Sequence, residues 1–129
     1  MRKFLVALLA VAALAAAGAA QAQQAPIKRT PLQKFDVPGT NYEAVIGIAE
    51  VIPNVNIGRH THPGVESGYV LSGDVTLLVE GQPDKPLKAG DSYTIPPNAI
   101  HDARTGAAGA KLIATYVVEK GKPLATPAK

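Results

Sequence analysis

The chain contains no cysteine. Disulfides are therefore excluded, and so is a lipid anchor at a processed N-terminal cysteine, so packing, metal or a partner subunit must hold the fold. Aromatic residues make up only 5% of the sequence and no basic run occurs, which argues against nucleic acid as a partner. The formal charge of +3 is also less than it looks. Without Arg2 and Lys3, the 13 basic residues fall to 11 against 10 acidic ones, a net of +1. Past the first residues, no stretch carries helical periodicity over three capped turns.

The N-terminus reads as an export leader. Arg2 and Lys3 precede an alanine- and leucine-rich run from Phe4 to Gly18, and Ala20-Gln21-Ala22 offers small residues where a signal peptidase cuts. The apolar run is about 15 residues, short of the roughly 20 needed to span a bilayer, so no stable membrane insertion is expected after cleavage. The expected location is the periplasm, or secretion, in a bacterium; an uncleaved anchor is the competing reading. Removing 22 residues from 129 leaves 107, enough for one small domain. A domain of that size buries about two-thirds of its unfolded surface, so its core is modest.

The remaining signals are short and β-like. Residues 23–35 are polar and proline-punctuated and read as an extended N-terminal arm; 36–120 read as a barrel and 121–129 as a C-terminal tail. Within the barrel, strands are expected at Tyr42–Ile52, Asn56–His62, Gly68–Leu71, Val75–Glu80, around Leu87–Ile95 and at Lys111–Glu119. Gly, Pro and Asn turns separate them. Many short, evenly spaced strands favour an all-β antiparallel jelly roll or barrel.

All three histidines fall in two short segments. In a strand, residues two apart face the same way, so His60 and His62 project together while Arg59 and Thr61 turn outward. Pro63-Gly64 provides a turn or bulge that can return Glu66 to the same point. His101 follows Pro96-Pro97-Asn98 and would arrive from a distant strand. Three imidazoles and a carboxylate leave one or two coordination positions open on a divalent first-row metal. Iron, manganese, nickel, copper and zinc all suit that set. The competing reading is a metal-free cavity lined by histidines. Tyr93 and Tyr116 could pack in the core or touch a substrate. Arg59 and Arg104 read as rim residues, and Asp102 as pointing away from His101. Parity counted back from His60 places Gly58 and Asn56 inside; counted on from Glu66 it places Gly68, Val70 and Ser72 inside, and Tyr69 outside.

These residues resemble the two motifs of the cupin superfamily. The first is matched at His60, His62, Glu66 and Gly73, with Asn54 where the family has its leading glycine. The second is matched at Gly90, Pro96 and His101, with Asn98 for a glycine and Thr105 for the closing asparagine. Sixteen residues separate Gly73 from Gly90, as in small single-domain exported bacterial cupins. The resemblance implies a cupin-like jelly roll, pairing as a homodimer, and a small-molecule ligand or substrate. It also implies a metal-dependent oxidoreductase, dioxygenase-like, with manganese-dependent oxalate chemistry as a second option. Against these stands a non-catalytic envelope module that binds a metal or small ligand, because fold and site do not fix chemistry.

Overall fold

A computed structural model describes residues 25–129. The proposed leader, 1–22, lies outside the described residues. Among those described there is no helix. Eight strands run in order: β1 Ile27–Asp36, β2 Tyr42–Val51, β3 His60–Thr61, β4 Gly64–Val79, β5 Lys85–Lys88, β6 Ser92–Ile95, β7 His101–Glu119 and β8 Thr126–Pro127. All pairings are antiparallel.

Two long strands organise the sheet. The first half of β4 pairs Gly64–Val70 with the C-terminal half of β7, and its second half pairs Val75–Val79 with His101–Thr105. Outside these pairs, β2 and β1 extend one end of the array through the C-terminal half of β7, and β6 flanks Glu66–Tyr69. At the other end β5 flanks Asp74–Leu77, and β3 joins at the His60–His101 pair. Both long strands bend at the same level. Register shifts interrupt β4 between Val70 and Ser72 and between Gly73 and Val75, facing Gly106–Gly109 on β7. Gly73 sits at φ 78, a conformation that costs a residue with a Cβ, and an added Cβ would lie 2.0 Å from the Gly109 carbonyl oxygen.

Alternation fills the interior. Val70, Val75, Leu77, Leu87, Ile95 and Leu112 pack as one cluster, and Ala114, Tyr116 and Val118 form a second. Each fully buried valine or isoleucine contributes about 1.5–3 kcal/mol of hydrophobic stabilisation. The antiparallel, all-β jelly roll is as the sequence indicates, but several boundaries differ. The segment read as an arm is in large part β1, hydrogen-bonded along β2. The expected third and fourth strands are one bent strand, and the last strand starts at His101 rather than Lys111. The expected strand from Asn56 shrinks to His60–Thr61 plus a single bridge from Asn56 to Arg104. Gly58, at φ 103, breaks the extended run. The parity count fails there too: Asn56 is exposed, while Ile57 lines the interior. Ser72 is likewise exposed because the bulge shifts it off the face that Glu66, Gly68 and Val70 share.

Candidate metal centre

The centre is built where β3, β4 and β7 meet. His60 and His101 are register partners, and Glu66 lies opposite Tyr116 on β7 and Ile95 on β6. All three histidines are buried, with one nitrogen of each within 4.8 Å of the others. Their ring centroids are 4.2–5.0 Å apart. The three histidines could therefore bind a metal ion. His62 is the deepest, 2% exposed, with its ring edge against Tyr116.

Every Nδ1 is committed to the main chain. His60 Nδ1–H donates to Gly58 O at 2.8 Å, His62 to Leu124 O at 2.6 Å and His101 to Ala99 O at 2.9 Å. A carbonyl can only accept, so each ring carries its proton on Nδ1 and presents a lone pair at Nε2. Such bonds are the usual way a metal-ligating imidazole is oriented.

The consequence for Glu66 is sharp. Its Oε2 lies 2.9 Å from His62 Nε2 and 3.3 Å from His101 Nε2. Neither Nε2, both buried, has a well-directed hydrogen-bond partner. Lone pairs thus face lone pairs in a buried space, which is unfavourable unless a cation or a shared proton stands between them. The donor set fits a divalent transition metal.

Electrostatics follows from this packing. Burial lowers the pKa of His60, and the neighbouring His101 and His62 add to the effect. Burial works against ionising Glu66, but the proximity of His101 and His62 and the bond from the Tyr93 hydroxyl outweigh it and bring the carboxyl down to about 2. Burial also opposes charging His101, yet Glu66 and the Ala99 carbonyl raise it overall. Burial first, and then Glu66, raise both tyrosines, Tyr116 to about 12.

Several features lie outside the sequence reading. Tyr93 O–H donates to Glu66 Oε1 at 2.8 Å, so one residue serves both core and site. Its register partner Gly68 makes room for it: a Cβ there would sit 2.3 Å from the ring. The tail also takes part, since β8 pairs with β3 and Leu124 supplies the carbonyl that orients His62. Asp102 points away from the cluster, as expected, but it accepts from Gly58 N at 3.0 Å and Asn56 Nδ2 at 2.9 Å. It thereby fixes the loop whose carbonyl orients His60. Thr105, in place of the motif's asparagine, is buried and donates to Ile52 O at 2.6 Å. Asn54 and Asn98, which replace motif glycines, adopt φ 57 and φ 60. Asparagine tolerates that conformation better than other residues with a Cβ. Arg59 and Arg104 pair at the surface with Glu80 and Asp84.

Above the cluster lies a mainly apolar cavity of about 40 Å³, walled in part by Val75, Leu77, Leu112 and Tyr93. It has room for a few waters at about 10–15 Å³ each, or for part of a small ligand.

Comparison with known proteins agrees with this architecture. The Cupin domain family model matches residues 47–123, and the chain belongs to the cupin family. A curated relative, H2HPP isomerase of Bacillus subtilis, is 34% identical over 68 residues, a match covering 49% of this chain but only 29% of that protein. Among solved structures, the DMSP lyase DddQ from Ruegeria pomeroyi superposes with a TM-score of 0.68 at 18% identity, over 80% of this chain and 52% of that one. An RmlC-like cupin from Shewanella frigidimarina gives 0.61 at 27% identity, over 77% and 82%.

Proposed function

We propose that the protein is an exported, metal-dependent enzyme acting on a small organic substrate. The supporting observation is the set of three Nδ1-protonated imidazoles whose Nε2 atoms converge beside the Glu66 carboxylate beneath an apolar cavity. In this reading His60, His62, Glu66 and His101 are the ligands. A divalent ion held there supplies Lewis-acid polarisation of a bound ligand. The apolar walls exclude water from the reacting group, and Tyr93 fixes one carboxylate oxygen so that the other faces the histidines.

The family resemblance implies dioxygenase-like oxidation as the reaction. A second class, isomerisation or elimination, needs only the Lewis-acid polarisation that a divalent ion in this site would supply. Relatives named as an isomerase and a lyase support that option. The location we propose is the periplasm, or secretion, on the strength of the leader. Pairing as a homodimer is supported by the exposed Leu32, Phe35, Tyr69 and Leu71; a light-scattering mass of one mature chain would reject it.

The test is a substrate screen of the metal-loaded protein run with and without oxygen. Turnover that consumes oxygen establishes the dioxygenase class, and turnover in its absence establishes proton-transfer chemistry. Ligand-induced thermal shifts with no turnover in either condition would replace both with a binding module.

A further inference from the structure

Resting on the metal-dependent reading above, we propose that Arg29 is the anchor for a carboxylate group on the substrate, so that the ligand is a small organic anion rather than a neutral molecule.

The inference begins with strand parity. Ile27 pairs with Val51 and Arg29 with Ala49, and both of those β2 residues are buried core. The intervening Lys28 faces the other way, within reach of Glu50. Ile27 and Arg29 therefore turn toward the interior, and both line the same cavity as His60, Glu66 and His101. Arg29 is exposed at the cavity mouth, so it keeps its hydration while facing the interior.

No carboxylate forms an ion pair with Arg29 among the described residues, and Glu66, in the same cavity, is engaged by His62, His101 and Tyr93. Arg59 pairs with Glu80 and Arg104 with Asp84, while Arg29 takes part in no ion pair. In the cavity wall it neighbours Tyr116, a phenol held protonated by burial and by Glu66 against the opposing pull of Arg29 itself, so that contact supplies no negative charge. Arg29 remains solvent-accessible. It thus stands at the rim of the cavity, with its guanidinium free to meet an entering anion before the ligand reaches the metal site. The guanidinium fork matches a planar carboxylate through two parallel N–H···O bonds. The cavity's small volume and apolar walls favour a carboxylate over a bulkier, more strongly hydrated phosphate. An inward charge on an edge strand also discourages pairing with another chain, but Lys28 and Lys34 already place charges on β1.

The experiment uses zinc-loaded protein with propionate and butyrate as probes, their neutral amides as controls and inorganic phosphate as a third arm, at constant ionic strength. Thermal shift and calorimetry read binding, and metal content is measured on every sample. The carboxylates should bind and the amides should not. Arg29→Gln should weaken carboxylate binding by about tenfold or more, as loss of a charge-assisted bond implies. Arg29→Lys should restore part of it, Arg104→Gln should leave it unchanged, and metal content should stay the same throughout. Carboxylate affinity that is equal in wild type and Arg29→Gln overturns the proposal, as does equal binding of acids and amides, or a preference for phosphate. Loss of metal from wild-type protein would instead overturn the reading of the centre, while the carboxylate readout on that same protein still judges Arg29.

Discussion

Tyr93 and Glu66 are joined by a 2.8 Å hydrogen bond inside the barrel, with the phenol donating and the carboxylate accepting. Both side chains are buried, so the bond operates where water cannot replace it. Tyr93→Phe should therefore destabilise the metal-free protein by about 1.5–3 kcal/mol, the usual worth of a hydrogen bond to a charged group. Metal affinity should fall by about tenfold to a hundredfold, as for other outer contacts to ligands. Gly68→Ala should reproduce both effects by displacing the ring. Urea melts and competitive metal titration measure the two quantities; a Tyr93→Phe protein identical to wild type in both would show that Glu66 needs no such support.

Loss of any one imidazole should strip most of the metal. His60→Ala, His62→Ala and His101→Ala each leave three donors and an incomplete shell, whereas Glu66→Gln keeps a neutral oxygen and should cost less. Elemental analysis of the purified variants decides the matter, and unchanged stoichiometry in all four would place the metal elsewhere.

Acid should release the metal, because protons compete for the lone pairs of histidines whose ordinary pKa is about 6.5. The metal-free protein should respond far less, because its groups oppose one another. His60 is depressed by burial, so the unfolded chain protonates first and stability falls as pH drops through 6.5. His101 is raised overall, so its contribution is present below 6.5 and is lost as pH rises through its folded value. Glu66 contributes above 4.5, and that contribution disappears as pH falls toward about 2. Melting temperatures from about pH 7.5 to about pH 5 should drop steeply for the loaded protein and change little for the metal-free one. Parallel curves for the two forms would contradict a histidine-ligated ion.

Removal of residues 124–129 tests the tail. Without the Leu124 carbonyl, His62 loses the acceptor that fixes its proton on Nδ1, and β3 loses its partner β8. Metal affinity should fall by about tenfold or more, with the sheet retained by circular dichroism. Replacing the Leu124 side chain by Ala should have the smaller effect, since the carbonyl stays; equal loss in both variants would assign the effect to packing alone.

The alternation of His60 and His62 and the return of Glu66 across Pro63-Gly64 were legible because each depends on residues close in sequence. Asn54 and Asn98 could be read as stand-ins for glycine for the same reason. What escaped depends on long-range pairing. Nothing local announces that Gly106–Gly109 bends a single strand instead of ending one, because the bend is fixed by β4 across the sheet. Nor does parity survive a positive φ, which is why Gly58 misdirected the count and hid Ile57. The roles of Tyr93, Arg29 and Leu124 are set by register with Gly68, by register with Ala49 and by the path of the tail.

The three Nδ1 protons all end on peptide oxygens, at Gly58, Leu124 and Ala99, and none on a side chain. Imidazole orientation is thereby written into the trace of the chain, not into its alphabet. Neighbouring positions are free to drift without rotating a ligand, provided the loops keep their course. The cavity walls can then change the molecule admitted while the ion's cradle stays the same, which leaves this small barrel open to new chemistry at constant metal geometry.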